Sequence, residues 1–336
     1  MSGDPSVTAT DAPGTDSPVT GTRVTEVADG VFAYVQDDGG WWVNTTGFVV
    51  GGDQVLAVDA CATERRTRAL LGAIAGTAAK PVRTLVNTHY HGDHTHGNVL
   101  FDQAVIVGHE RCRAGVLADP VLEHTPPVFA PMPHWGAVRK APPTVTFTDR
   151  LTLWLDDLEV QLRHVGGPAH TDSDIVVWLP QRDVLFTGDL VFNGGTPLLM
   201  SGSVTGYLRT LEHLRAIGAT TLVPGHGTPC GQEVIAPLER YARLVLDAAA
   251  QGRSAGLSPL ETARELDLGE FKDLTDPERI VLNLHRAYLD LDAENGGDRD
   301  DGRGRDKGGN EDAFDYPAAF ADTVAFNGGR PLRCTA

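Results

Sequence analysis

The sequence predicts an α/β protein in which two β-sheets pack face to face and helices cover their outer surfaces. Three observations carry this expectation. Short runs of β-branched and aromatic residues come in groups, and each group is closed by a stretch of helical periodicity. In addition, 41% of the 336 residues are hydrophobic, enough for one large core or one core plus a small appendage. A sheet that is apolar on both faces needs cover on both, which gives the layers helix, sheet, sheet, helix.

Residues 1–22 are rich in Thr, Pro, Gly, Ser and Asp and read as a disordered leader. From residue 23 the pattern changes. "VFAYV" and "GFVVGGDQVLAVDA" are strand-like, with Gly51, Gly52 and Asp53 as a hairpin turn, and "TERRTRALLGAIAG" then closes the first block as a helix. The second block, "TVTFTDRLTLWLDDLEVQLRHVG" and "DIVVWLPQRDVLFTGDLVF", is followed by two helical segments, "TGYLRTLEHLRAIG" and "PLERYARLVLDAAAQGR". Residues 23–252 are thus expected to form the main domain and residues 253–336 a helical C-terminal extension. That extension carries a flexible acidic, Gly-rich insert at 293–312. A Pro-rich segment at 120–143 is too long for a plain connection. Its Phe129, Met132, His134 and Trp135 could line a substrate entrance, or the loop could simply pack its own aromatics onto the core.

Composition narrows the function. Asp and Glu number 45 against 28 Lys and Arg, a formal charge of -17 that repels polyphosphate backbones, so no nucleic-acid partner is expected. Cys61, Cys112, Cys230 and Cys334 are far apart and form no CxxC pair, which argues against a thiolate zinc knuckle and a disulfide framework. The N-terminus has neither a basic start nor an apolar stretch, and no run approaches the roughly 20 apolar residues of a membrane span. A cytoplasmic protein without a membrane partner is expected.

The segment "VNTHYHGDHTHGN", residues 86–98, holds four of the twelve histidines. It follows a strand-like run, so His89 and His91, two apart on extended chain, point to one side. On a helix they would diverge, which argues against a helical HExxH zinc site. Gly92 permits a sharp turn, and Asp93 and His94 open the next element toward a neighbouring point. A zinc-like ion takes about four ligands, so more must come from elsewhere. Candidates are His170 in "GGPAHTDSD", Asp189 in "LFTGDL" and His226 in "LVPGHG", each at a turn after a strand-like run. Taken singly, each also fits an ordinary turn residue.

The order HxHxDH, isolated His, Asp after Gly, then Gly-His-Gly resembles the metallo-β-lactamase superfamily. That resemblance implies an αββα sandwich of two mixed β-sheets flanked by helices, with 23–252 as the catalytic domain. It assigns His89, His91 and His170 to one metal ion, Asp93, His94 and His226 to a second, and Asp189 to a bridge between them. Asp59 matches a carboxylate placed beneath the metals, although an Asp at a strand end could equally cap the following helix. His96, His109, His124, His134, His164, His213 and His285 match no ligand position and read as core or surface histidines. The implied cofactor is a pair of divalent ions, zinc first, with iron or manganese as alternatives. A hydroxide shared by two such ions about 3.5 to 4 Å apart is a usable nucleophile near neutral pH, with Asp93 orienting it.

The bridging position refines the expectation. The commonest zinc β-lactamases carry Cys where this chain has Asp189 and are exported, whereas a bridging Asp resembles the glyoxalase-II-like thioesterases and the lactonases. The expected function is therefore a dinuclear hydrolase of a thioester, lactone or similar carbonyl substrate, either a small molecule or an acyl group on a carrier protein. The segments "GGWWVNTTGFVVGGDQVLAVDA", "GSVTGYLRTL", "VLNLHRAYLDL" and "VAFNGGRPLRC" are similar to a group of actinobacterial metallo-hydrolases that includes an aromatic-polyketide cyclase-thioesterase. Ring closure on a carrier-bound polyketide is thus the alternative; β-lactam hydrolysis and iron-dependent sulfur dioxygenation rank below it.

Overall fold

The computed structural model describes residues 19–36, 39–296 and 314–336. Among them, strands β1 (Thr22–Ala28), β2 (Val31–Gln36), β3 (Thr46–Val50) and β4 (Val55–Val58) form an antiparallel run, and helix α1 (Glu64–Thr77) follows. Next come β5 (Val82–Val86), the short α2 (Gly92–Thr95), β6 (Val105–His109), α3 (Glu110–Ala118), β7 (Phe129–Ala130) and β8 (Val145–Phe147). Strands β5, β6 and β8 join the first sheet in parallel, giving the order β1-β2-β3-β4-β5-β6-β8.

The second sheet begins with β9 (Arg150–Leu155), β10 (Leu158–His164), β11 (Ile175–Leu179) and β12 (Val184–Phe192). After α4 (Val204–Ile217), β13 (Thr221–His226) pairs in parallel with β12, so this sheet too is mixed, in the order β13-β12-β11-β10-β9. The chain ends with α5 (Ile235–Ala255), α6 (Pro259–Glu265), α7 (Arg279–Gly296), α8 (Tyr316–Phe326) and β14 (Leu332–Arg333), which pairs with β7.

Side-chain alternation explains the layers. In β4, Leu56 and Val58 face the second sheet and meet Val160, Leu162, Val177 and Phe186, while Val55 and Ala57 face α1 and meet Leu70 and Ile74. All nine residues of β12 are buried, as a central strand covered on both faces requires. The outer face of the second sheet packs against α4, α5, α7 and α8 in one apolar cluster. Full burial of each large aliphatic side chain in such a layer contributes about 1.5 to 3 kcal/mol.

The C-terminal helices share that cluster with the second sheet, and α5 runs across the expected boundary at 252/253. Of the expected leader, residues 1–18 lie outside the described residues, and β1 starts at Thr22. Of the acidic insert, 293–296 continue α7 and 297–312 lie outside the described residues. Among the described residues no helix is long and apolar enough to cross a membrane.

Candidate metal centre

The loops after β4, β5, β10 and β13, together with β12 itself, converge at one edge of the sandwich. There the seven side chains singled out in the sequence form two groups that share Asp189: His89, His91 and His170 on one side, and Asp93, His94 and His226 on the other. Within each group the candidate ligand atoms all lie within 4.8 Å of one another. His170 Nε2 stands 2.7 Å from His91 Nδ1 and 3.2 Å from His89 Nε2. Across the bridge, Asp189 Oδ2 lies 3.3 Å from His170 Nε2 and 3.2 Å from His226 Nε2, and Asp189 Oδ1 lies 3.0 Å from His94 Nε2.

Local structure explains this convergence. Gly188 adopts a left-handed φ of +51°, and a Cβ there would press on Thr88. At Gly225 a Cβ would sit 1.9 Å from Asp189 Oδ1, so only glycine lets β13 pass this close to the shared carboxylate. In the loop carrying His170, Thr171 donates its N–H to Asp174 Oδ2 at 2.8 Å and its hydroxyl to Asp174 Oδ1 at 2.6 Å. Asn87 and Asn98 exchange side-chain hydrogen bonds and brace the segment between His89 and His96.

The far nitrogen of every imidazole is engaged, and this orients the near one. His94 Nδ1 donates to Asp59 Oδ2 at 2.9 Å, and His170 Nδ1 donates to the Leu198 carbonyl at 2.5 Å. His226 Nδ1 donates to the carbonyls of Gly39 and Val43 at 3.1 and 2.9 Å. Thr88 Oγ1 gives its hydrogen to Asp59 Oδ2, so it accepts from His89 Nδ1 at 3.1 Å. His91 is turned the other way, with Nε2 3.1 Å from Ser201 Oγ and Nδ1 facing the group. Five near nitrogens thus face inward, an orientation that outer hydrogen bonds fix in metal sites; those of His89, His91 and His170 carry lone pairs, and those of His94 and His226 would release a proton to a cation. Asp59 does not cap α1, whose cap is Thr63; its carboxylate instead faces Thr88 and His94 from behind the two groups. Its φ of +63° is one of the left-handed conformations that Asp tolerates.

The donor set fits a pair of divalent cations. His94 Nε2 and Asp189 Oδ1 are buried and, despite their proximity, are not in hydrogen-bond geometry with any partner among the described residues. Buried polar atoms left this way need a partner, and a divalent cation would supply it. Imidazole and carboxylate donors without thiolate leave the choice among divalent metals open.

The two groups differ electrostatically. Burial holds His89 well below the usual imidazole range and His170 down to about 3, while Asp189 works in the opposite sense. For His94 and His226, burial is outweighed by Asp189 and Asp93. His94 is held well above its usual range and His226 is pushed up to about 9. Burial would raise Asp93, but His94 and His226 hold it below the ordinary carboxylate range. His91 is only half-buried and Asp93 is 8% exposed, whereas the other five lie at 4% or less, so the site opens to solvent beside these two.

The Pro-rich segment divides. Phe129 is buried against Trp41, Trp42 and Phe320, and Trp135 packs edge-on against Trp42 and His96. Met132 and His134 are exposed. His96, in the histidine segment but outside both groups, is buried, stacks on Trp42 and pairs with Asp119 at 3.2 Å. Sequence reasoning missed Ser201, Trp42 and the C-terminal residues behind them. A polar stripe within the apolar helix "VLNLHRAYLDL" was the available signal.

Residues 39–226 match the model of the metallo-beta-lactamase superfamily, a span that includes all seven side chains, the second sheet and the first sheet from β3 onward. The chain belongs to the metallo-beta-lactamase superfamily. Curated relatives share modest identity with it. A metallo-beta-lactamase type 2 of Bacteroides fragilis is 25% identical over 68% of this chain and 88% of that protein. The atrochrysone carboxyl ACP thioesterase AacuM of Aspergillus aculeatus is 24% identical over 73% of this chain and 72% of that protein. Human acyl-coenzyme A thioesterase MBLAC2 is 30% identical, over 46% of this chain and 60% of that protein. Among solved structures, a metallo-beta-lactamase from Pontibacter korlensis superposes with a TM-score of 0.53 at 21% identity, over 66% of this chain and 99% of that one, and shares the fold.

Proposed function

We propose that this superfamily member is a zinc-dependent dinuclear hydrolase of thioesters, lactones or similar carbonyl substrates. The observation that carries the reading is the pair of side-chain groups joined through Asp189, with every histidine oriented from behind. His89, His91, His170 and Asp189 would hold one cation, and Asp93, His94, His226 and Asp189 the other. When bound, two divalent cations lower the pKa of water toward neutrality and polarise a carbonyl oxygen. Asp93, kept ionised beside His94 and His226, holds a carboxylate where the site meets solvent and can orient water or take up its proton. The apolar layers around the groups exclude bulk water and strengthen these interactions.

The thioesterase names among the relatives support a thioester, and the carboxylate at the bridging position favours it over a β-lactam. A second reading, hydrolysis coupled to ring closure on a carrier-bound polyketide, is favoured by the relative that acts on an acyl carrier protein thioester, since that match spans nearly three quarters of both chains. All four cysteines are free thiols, which supports a reducing compartment such as the cytoplasm. The test is metal quantification on purified protein, then a screen of acyl thioesters, lactones, a phosphodiester and a cephalosporin on one preparation. Two equivalents of zinc with thioester or lactone turnover are expected. Turnover of the cephalosporin or phosphodiester alone would overturn the assignment.

A further inference from the structure

Behind the first histidine group runs the segment 196–204, "TPLLMSGSV", whose backbone is held side chain by side chain from helix α7. Arg279 donates to Thr196 O at 3.1 Å, Asn283 donates to Pro197 O and accepts from Leu199 N at 2.8 Å each, and Arg286 donates to Met200 O at 2.8 Å. Asp290 accepts from Val204 N at 2.8 Å and from Ser203 Oγ at 3.0 Å. The four residues are spaced by 4, 3 and 4, one face of a helix, and all are buried. Two guanidinium groups and a carboxylate are costly to bury, so their alignment along one short segment calls for a reason.

Within that segment α7 leaves two groups to others. The Leu198 carbonyl accepts His170 Nδ1, and Ser201 Oγ stands 3.1 Å from His91 Nε2. Ser201 is itself backed by the phenol of Tyr316, 3.3 Å away at the start of α8. Tyr316 packs on Phe314, whose ring lies under the Arg286 guanidinium. The first group thus takes the orientation of two of its three imidazoles from the C-terminal helices. Ser201 can accept from His91 Nε2 while its own hydroxyl is shared with Tyr316, and this leaves the lone pair on Nδ1, which faces the group.

We propose that helices α7 and α8 form the outer wall of the first metal position, with Ser201 and Tyr316 as positioning residues that fix His91 with Nδ1 inward. This rests on the dinuclear reading above. The C-terminal helices would therefore act selectively, setting the affinity of one cation and leaving the other to Asp59 and the loop at 39–43.

The test is a cobalt titration of the full-length protein, followed by visible absorption and by competition with a chelator. The first-group binding step is identified as the one lost in His170→Ala. In Ser201→Ala that step should weaken about 10- to 100-fold, the usual cost of removing an outer hydrogen-bond partner, while the second step and the melting temperature of the metal-free protein stay unchanged. Tyr316→Phe should shift the same step less, and Ser201→Thr, which restores a hydroxyl, should recover it. If wild type binds two ions and Ser201→Ala binds both with unaltered affinity and spectrum, this inference fails and the dinuclear reading stands. A wild-type protein that takes up fewer than two ions would overturn both.

Discussion

The two halves of the candidate metal centre solve one problem in different ways. Around His89, His91 and His170, neutral imidazoles turn lone pairs toward each other, and burial keeps protons off them. Around His94 and His226, the carboxylates of Asp93 and Asp189 are close enough to keep those imidazoles charged in the absence of metal. Their supports differ as well. The second group leans on the first sheet, through Asp59 and the carbonyls of Gly39 and Val43, whereas two of the first group's three imidazoles lean on Leu198 and Ser201, held by α7 and α8. The contrast teaches that a charge-compensated group can hold its own geometry, while a group of neutral imidazoles depends on a cation or on rigid backing.

The largest effect should come from removing what the halves share. Asp189→Ala is expected to abolish two-metal binding and reduce turnover to near background, measured by metal content and thioesterase rate. Retention of two ions and full turnover would break the comparison at its root. Asp59→Asn keeps a side chain that tolerates the left-handed backbone but removes the charge facing His94 and Thr88. It should weaken the second cation by about 10- to 100-fold and the first by less, since Asp59 reaches His89 only through the Thr88 hydroxyl, as chelator competition would record.

Proton linkage separates the groups without substrate. His226, raised to about 9, contributes stability that is complete below its ordinary 6.5 and is lost as pH rises through about 9. His170, lowered to about 3, contributes stability present above 6.5 and lost as pH falls toward 3, because the unfolded chain then binds the extra proton. Metal-stripped protein should therefore melt highest near neutrality. His226→Gln should flatten only the alkaline limb of a plot of Tm against pH, and equal flattening of both limbs would show that the groups do not differ as described. A smaller effect is expected at Trp135, which packs edge-on against Trp42 in the loop that holds His226. Trp135→Phe should lower stability by about 0.5 to 1.5 kcal/mol in denaturant unfolding, with any loss of affinity confined to the second cation. Exposed Met132, replaced by Ala, should change stability by less than about 0.5 kcal/mol.

Much of this could be read along the chain. The unbroken apolar run "VLAV" gives a strand apolar on both faces, and such a strand requires cover on both. The ligand candidates were legible because they stand in short motifs rich in Gly and Pro, where the local pattern is informative; Asp189, expected at a turn, instead lies inside β12, directly after the left-handed Gly188 that bends the strand. Phe129 and Trp135 show the limit. Both stand in one Pro-rich loop with Met132 and His134, yet one is core, one is half-buried and two are exposed, and nothing in the local pattern separates them.

By itself, then, the sequence determined the layer architecture, the superfamily and the identity of the side chains around the metal centre, because periodicity and short motifs act over a few residues. Only the tertiary structure decided which nitrogen of each histidine faces inward, and that Ser201, Asn283, Arg286 and Tyr316 stand behind the first group. Those contacts join positions 84 to 115 residues apart. They exist only once the second sheet and the C-terminal helices close over one shared core.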